Sequence, residues 1–539
     1  MNKPLLLSLA AAALLSTNLN AQSMLERFDA MEREMNQLKQ EIATLKASKI
    51  AAPAEEDEED DEEVASAEDE PKGGDVVKAV ASAGDEEDDE DDEDDEDDEI
   101  VSDEERISDL EETVSELNRR TSGSHLKFKV DYRFAIDNIN YEMADGSSAE
   151  NNALMTSRLW IDMGYKATNN LTFKGQLAYN KAFGVRSGPT SLNSFPTWEN
   201  IDWIASENAY DDQIRVRSAY FLWQEQEFFG LDIPWTFSIG RRPSTGGQLV
   251  NLRDDDHANS PMGHTINVEF DGLSSQFTLN KEWGTSVKLC LGRGMSNAAP
   301  KFSSTPYAKV DGENTSIDIV GLIFTPYDDR QYKFSTMYYY ADNLIDAEIS
   351  GGQPTGNFET VGGLHSAAAY ISVKGIGNEW SDFLDDTTLF ASAAMSITDP
   401  NDQTSSTGPG MLGSTDTEIG TSYWVGAQFP SLLTEDGRWG VEYNHGSKYW
   451  RPITYGEDTN IGSKLAARGS AYEAYMTEYL VDDILSMQLR YTYIDYDYSG
   501  SNGFFGNPGA PVRISPTMAN PGTVVDKAQD IRLYIRYRY

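Results

Sequence analysis

The chain predicts an all-β membrane protein, an antiparallel transmembrane β-barrel of about 16 strands preceded by a periplasmic coiled-coil helix and a disordered acidic segment. Three observations carry this expectation. The C-terminus, Ile531-Arg532-Leu533-Tyr534-Ile535-Arg536-Tyr537-Arg538-Tyr539, alternates large apolar or aromatic side chains with Arg and stops on an aromatic. Such a strand can sit in lipid only if its polar face looks into a water-filled lumen and both backbone edges are paired, as in a closed barrel. Next, the hydrophobic period is two from His125 to the end, in alternating segments separated by connections that are short at one end and long at the other. Finally, residues 1–21 read as a cleavable export signal: Lys3, an apolar run from Leu5 to Leu15, and a polar stretch closing on Leu19-Asn20-Ala21.

After the signal, residues 22–48 form the coiled-coil helix: Met24, Phe28, Met31, Met35, Leu38, Ile42 and Leu45 recur at steps of 4 and 3. Residues 49–105 are the acidic spacer. Within it, positions 55–105 hold 31 acids and 2 lysines, including the unbroken acidic run from Asp85 to Glu99, and supply most of the chain's net charge of −47. Self-repulsion and the absence of aromatics predict an extended, disordered segment. Its readings are a solvated spacer, a contact with the cell wall or a basic partner, or a diffuse reservoir of divalent cations, without the spacing of an EF-hand. A second helix, 106–120, follows on Ile107, Leu110, Val114 and Leu117, and the barrel spans 125–539. The acidic balance argues against nucleic-acid binding. The one cysteine, Cys290, precludes an internal disulfide, and five scattered histidines give metal chemistry little to work with. No cofactor and no catalytic residues are expected: there is no Gly-x-Ser-x-Gly or comparable constellation.

Alternation places the strands near 125–136, 154–166, 170–181, 213–225, 234–243, 266–281, 285–293, 315–325, 330–340, 363–374, 386–397, 418–428, 437–445, 469–480, 485–496 and 528–539. Keeping 266–281 whole requires a bulge at Asp271-Gly272, where the facing pattern slips by one. Aromatics such as Tyr338-Tyr339-Tyr340, Tyr491, Tyr493, Tyr496 and Tyr498 gather at strand ends, as at membrane interfaces.

With the apolar face toward lipid, the opposite face nominates the pore wall. It receives Lys127, Lys129 and Arg133 from the first strand, Arg158 from the second, Arg215 and Arg217 from the fourth, Arg490 from the fifteenth and Arg532, Arg536 and Arg538 from the last. First and last strands meet in a closed barrel, so these residues predict a basic wall around the seam. It would either favour anions or be balanced by lumen acids such as Asp131 and Asp162. The segment from Gly240 to His257, carrying Arg241, Arg242, Arg253, Asp254, Asp255 and Asp256, is the densest mixed-charge stretch of the barrel. Folded inward, it would form a constriction loop with a transverse field.

The heptads after the signal, Ser238-Ile239-Gly240-Arg241-Arg242-Pro243-Ser244 and Glu269-Phe270-Asp271-Gly272 resemble a family of outer-membrane porins of unknown function from epsilon-proteobacteria, across essentially the whole barrel region. That family carries no established binding residues. The loop between strands five and six is similar in placement to the constriction loop of sixteen-stranded general porins, which are trimers; the acidic run falls outside that pattern. The resemblance implies an outer-membrane, homotrimeric channel for passive diffusion of small hydrophilic solutes or ions. The alternative is a structural anchor that tethers the outer membrane to the cell wall through the periplasmic N-terminal region.

Overall fold

The computed structural model describes residues 126–539 except 185–211, 297, 300, 310–315, 351–352, 377–379, 403, 455–457 and 502–508. The export signal, both N-terminal helices and the acidic spacer lie outside the described residues.

Among the described residues twenty strands form. They are β1 (Lys127–Met143), β2 (Ser148–Lys166), β3 (Leu171–Ala182), β4 (Arg215–Glu225), β5 (Trp235–Arg242), β6 (Gly247–Gln248), β7 (Asn259–Met262), β8 (Phe270–Asn280), β9 (Thr285–Met295) and β10 (Ile317–Asp328). The second half contains β11 (Tyr332–Ser350), β12 (Gln353–Lys374), β13 (Thr388–Pro400), β14 (Thr404–Ser405), β15 (Gly408–Pro409), β16 (Ile419–Pro430), β17 (Arg438–Gly446), β18 (Gly469–Val481), β19 (Leu485–Tyr496) and β20 (Val525–Arg538). All but β6, β7, β14 and β15 join one closed antiparallel barrel of sixteen strands in chain order. It is sealed by β1 against β20, with Arg133 opposite Arg536 and Asp137 opposite Arg532. Closure leaves no unpaired edge, the condition for a β-structure to sit in hydrocarbon.

The alternation has the expected polarity. On β20, Ile531, Leu533, Ile535 and Tyr537 are exposed on the outer wall, whereas Asp530, Arg532, Tyr534 and Arg536 are buried inside. Phe128, Val216, Val320, Ile371, Val441 and Leu489 continue the apolar outer face around the barrel. This is the outer-membrane barrel pattern of apolar-out, polar-in strands.

All sixteen expected strands are present, with three differences. Two connections read as long loops, 137–153 and 341–362, are largely strand: β1–β2 and β11–β12 keep pairing far beyond the band, and Ala144–Ser147 alone turns the first hairpin. Their buried Ile139, Leu344, Ile345 and Val361 explain why the ladder continues. The strand expected at 266–281 begins only at Phe270, and no bulge occurs at Asp271-Gly272: the pairing from Arg242↔Phe270 to Trp235↔Phe277 is continuous. The apparent slip arose because residues 266–269 belong to a chain segment inside the barrel. Third, Arg241 and Arg242 close β5, within the strand expected at 234–243, and so stand on the wall at the foot of the inward segment and not in its loop.

A glycine file crosses the wall where Gly240 pairs with Gly272 and Gly272 with Gly292. Gly240 has φ +131°, and a Cβ there would lie 2.3 Å from the Ala219 carbonyl oxygen; one on Gly272 would lie 2.0 Å from that of Leu291. Gly272→Val is therefore expected to destabilise the barrel by about 1–3 kcal/mol, since strands must part to admit the side chain. The temperature at which the folded band disappears in heat-modifiability gels should fall; an unchanged temperature would show that the close approach is not required.

Candidate functional site in the barrel interior

A barrel of sixteen strands is wide enough to leave an aqueous lumen, so what fills it sets the character of the interior. The chain between β5 and β8 folds inward and crosses it. At its neck, Asn259 N–H donates to the Gly246 carbonyl (3.0 Å) and Gly246 N–H to Asn267 Oδ1 (2.9 Å). Beyond the neck a short helix, α1 (Val250–Asp254), reaches the opposite wall. There Gln428 Nε2 on β16 donates to Leu252 O (2.6 Å), Gln488 Nε2 on β19 to Arg253 O (2.8 Å) and Arg536 on β20 to Asp254 O (3.0 Å). Arg253 is buried 3.4 Å from Glu473 on β18. Of the three successive acids, Asp256 binds Arg536 and Arg538 at 3.0 Å, Asp255 accepts from the Tyr479 hydroxyl, and Asp254 lies 3.7 Å from Arg253. On the returning limb His264 lies between the hydroxyls of Ser392 (2.8 Å) and Ser422 (2.9 Å), and burial lowers its pKa to about 3, so the ring stays neutral.

A second inward segment, 447–454 and 458–468, occupies the connection between the strands expected at 437–445 and 469–480. It meets the first in a short parallel bridge: Asn267 N–H donates to Ile453 O (2.7 Å) and Ile453 N–H to Thr265 O (2.8 Å). Trp450, Ile453, Leu465 and Ala466 pack with Leu249, Val250, Met262 and Ile266 into an apolar core inside the barrel. The facing wall makes room with small side chains, Ser366, Ala368, Ser392, Ala394 and Ser396, all buried. Lys464 is buried 2.5 Å from both Glu442 and Glu473.

These segments change the electrostatics expected at the seam. Arg133, Arg158, Arg217, Arg490, Arg532 and Arg536 do lie buried in the interior, but carboxylates face most of them. Arg133 forks onto Asp458, whose side chain also lies 3.4 Å from Arg532, and whose backbone carbonyl accepts from Arg490 (2.8 Å) and Arg532 (3.0 Å). Arg532 holds Asp137 at 2.5 Å, Arg536 holds Asp131 at 2.5 Å, and Arg158 stands 3.4 Å from Asp131 with its guanidinium 3.5 Å above the Trp160 ring. Arg217 pairs with Glu269 at 2.9 Å. Of the two expectations for the seam, the arrangement follows the balanced one: Asp131 and Asp137 of β1 itself, together with Asp256, Glu269 and Asp458 of the inward segments, face the arginines. Burial alone would raise the Asp458 carboxyl, but Arg133 and Arg532 outweigh it and hold the group well below the ordinary carboxylate range. Asp254 is likewise held low against burial by Arg253, Arg490 and Arg536.

The remaining expected residues separate from this network. Lys127 and Lys129 share the inward face of β1 but stand exposed at its end, and Arg215 is half-buried on β4. Arg241 lies between Glu269 (3.9 Å) and Asp271 (3.8 Å), while Arg242 stacks over the Tyr220 ring at 4.3 Å. Asp162, expected as a balancing acid, accepts from Gln176 (2.7 Å). Asp137, Asp458, Lys464, Glu473 and Lys288 escaped the sequence reading. For Asp458 and Lys464 the signal was a long connection rich in Ile453, Ile461, Leu465, Ala466 and Ala467, too apolar to stay in water; for Lys288 it was a lone cation among apolar neighbours on β9. No cluster of potential metal ligands occurs among the described residues.

Comparison with solved structures finds barrels of low sequence identity. OmpF of Salmonella typhi, in complex with daunomycin, is 13% identical, with 78% of this chain and 99% of that chain covered and a TM-score of 0.40. OprB of Pseudomonas putida is 13% identical over 80% of this chain and 97% of that chain, TM-score 0.41. OmpT, an outer membrane protein of Vibrio cholerae, is 11% identical over 76% and 98%, TM-score 0.38. None of the curated proteins matches the chain. One family model matches residues 148–539, which take in the barrel from β2 to its last strand together with both inward segments, and by that match the chain belongs to DUF3373, a family of proteins of unknown function.

Proposed function

We propose that the protein is an outer-membrane channel for passive diffusion of small hydrophilic solutes or ions. The observation that carries this reading is a closed sixteen-stranded barrel with an apolar outer face, crossed inside by a polar segment pinned to the far wall through Arg253, Asp255 and Asp256. Such a segment acts as a size- and charge-sorting constriction: paired charges on opposite sides of a narrow, low-dielectric passage set a transverse field. Arg241, Arg253, Asp254, Asp255 and Asp256 are assigned to this constriction. The seam arginines Arg133, Arg158, Arg490, Arg532, Arg536 and Arg538 hold its far side in place, and Lys127, Lys129, Arg215 and Arg217 are assigned to the approaches. The heptads of the N-terminal region support a homotrimer with its helices in the periplasm.

A second reading draws on the apolar core formed by the two inward segments. Trp450 and Leu465 are fully buried there, as expected of a filled barrel that serves as an anchor tethering the membrane to the cell wall through the acidic spacer. Single-channel recording of the full chain in planar bilayers separates the two. Stepwise openings, with a reversal potential in a salt gradient much smaller than a free arginine wall would give, are expected for the channel. Folded, heat-modifiable protein that conducts nothing would favour the anchor.

A further inference from the structure

The neutralised interior has a local exception. Between the inward segment and the wall of β8 to β11 lies a cavity of about 90 Å³, and two cations line it, Arg242 and Lys288. Lys288 is only 8% exposed, and its ammonium donates to the hydroxyl of Ser260 at 2.5 Å. Among the described residues neither Lys288 nor Arg242 has a carboxylate partner; Arg242 stacks over the Tyr220 ring and hydrogen-bonds that side chain. Elsewhere inside this barrel, buried Arg133, Arg532, Arg536, Arg253 and Lys464 are each met by an acid, and buried Arg490 donates to the Asp458 carbonyl. A buried cation without an anion is costly, and two bordering one cavity repel each other.

The rest of the lining says what would relieve that cost. Ile266, Ile319, Ile323 and Met337 give the cavity apolar walls. Ser260, Lys288 and Ile323 also border a second, polar cavity of about 490 Å³ that extends to the short-turn end of the barrel past Lys281, Arg330 and Lys333, where Lys281 pairs with Asp232 at 2.7 Å and Lys333 with Asp328 at 2.8 Å. Lys288 therefore stands where a polar vestibule meets an apolar pocket. We propose that this junction binds a small organic monoanion, its carboxylate at Lys288 and Arg242 and its short aliphatic body in the pocket. A cavity of about 90 Å³ is smaller than the ~150 Å³ that takes a benzene ring, which selects a short chain over an aromatic acid. The inference rests on the channel reading in that the lumen must admit solutes, and it names the class of solute.

Cys290, the chain's one cysteine, lines the same cavity and provides a probe that does not need conduction. In the full-length protein, Cys290 would be modified with methanethiosulfonate reagents of similar size carrying a sulfonate, no charge or a quaternary ammonium. The anionic reagent is expected to react about tenfold faster than the cationic one, as in a cleft of one charge sign. Butyrate should slow the reaction, and Lys288→Gln with Arg242→Gln should erase both effects while the neutral reagent still reacts. Equal rates for the two charged reagents, protection by chloride as effective as by butyrate, or a thiol reached by no reagent would each overturn the proposal. A barrel that shows butyrate protection yet conducts nothing would leave this site standing and sink the channel reading alone.

Discussion

Replacing residues 247–258 with two glycines is expected to raise single-channel conductance severalfold. The neck of the inward segment is already closed by the Asn259 N–H to Gly246 O bond (3.0 Å), so a short bridge can rejoin the chain without moving β5 or β8. What disappears is the excursion itself: α1, Arg253 and the acids that dock on Arg536 and Arg538. Glu473 retains Lys464 at 2.5 Å, which protects the wall from an isolated buried carboxylate. Removing Asp254, Asp255 and Asp256 also frees seam arginines, so the reversal potential should move toward anion preference as conductance rises. Unchanged conductance in a variant that still shows heat-modifiable mobility would mean that this segment does not limit the pore.

Asp458→Asn is expected to be the most damaging single substitution in the interior. Asp458 faces Arg133 and Arg532, both buried, and removing the charge leaves two guanidiniums without it, a loss of about 3–5 kcal/mol for a buried pair. The second inward segment would loosen from the seam, lowering the unfolding temperature and increasing proteolytic cutting between β17 and β18. The pH dependence follows from the sign of the shift. A carboxyl held below its unfolded value contributes stability at every pH above that unfolded value, near 3.9, and loses it only as pH falls through the lower folded value. Unfolding temperature should therefore show no loss from this group between pH 7 and about 4 and a decline below, and the decline should be shallower in Asp458→Asn. An equal slope in both proteins would show that other carboxyls govern acid unfolding.

Much of the fold was legible because a strand in lipid has a period of two. Ile531, Leu533, Ile535 and Tyr537 had to face out once Arg532 and Arg536 faced in, and that logic repeated through sixteen strands. The exceptions came where burial was supplied by the chain itself. Ile266 and Val268 alternate like strand residues, yet they are buried in the inward segment ahead of β8, because an apolar interior core rewards alternation as lipid does. The same core explains why the β11–β12 hairpin keeps pairing, with Leu344 and Val361 buried.

The sequence by itself determined the strand count, which face of each strand is apolar, and that Arg253 and the three following acids sit in a segment of dense mixed charge; local alternation and composition specify these. Partnership was decided only by the tertiary structure. Asp458 meets Arg133 across 325 residues and Arg253 meets Glu473 across 220, so no local pattern records these two pairings, although Asp131 was open to view as a balancing acid. Nor does any local pattern record that, among the described residues, Arg242 meets no carboxylate. Electrostatic energy depends on distance in space and on exclusion of water, and both are set when the loops fold into the barrel.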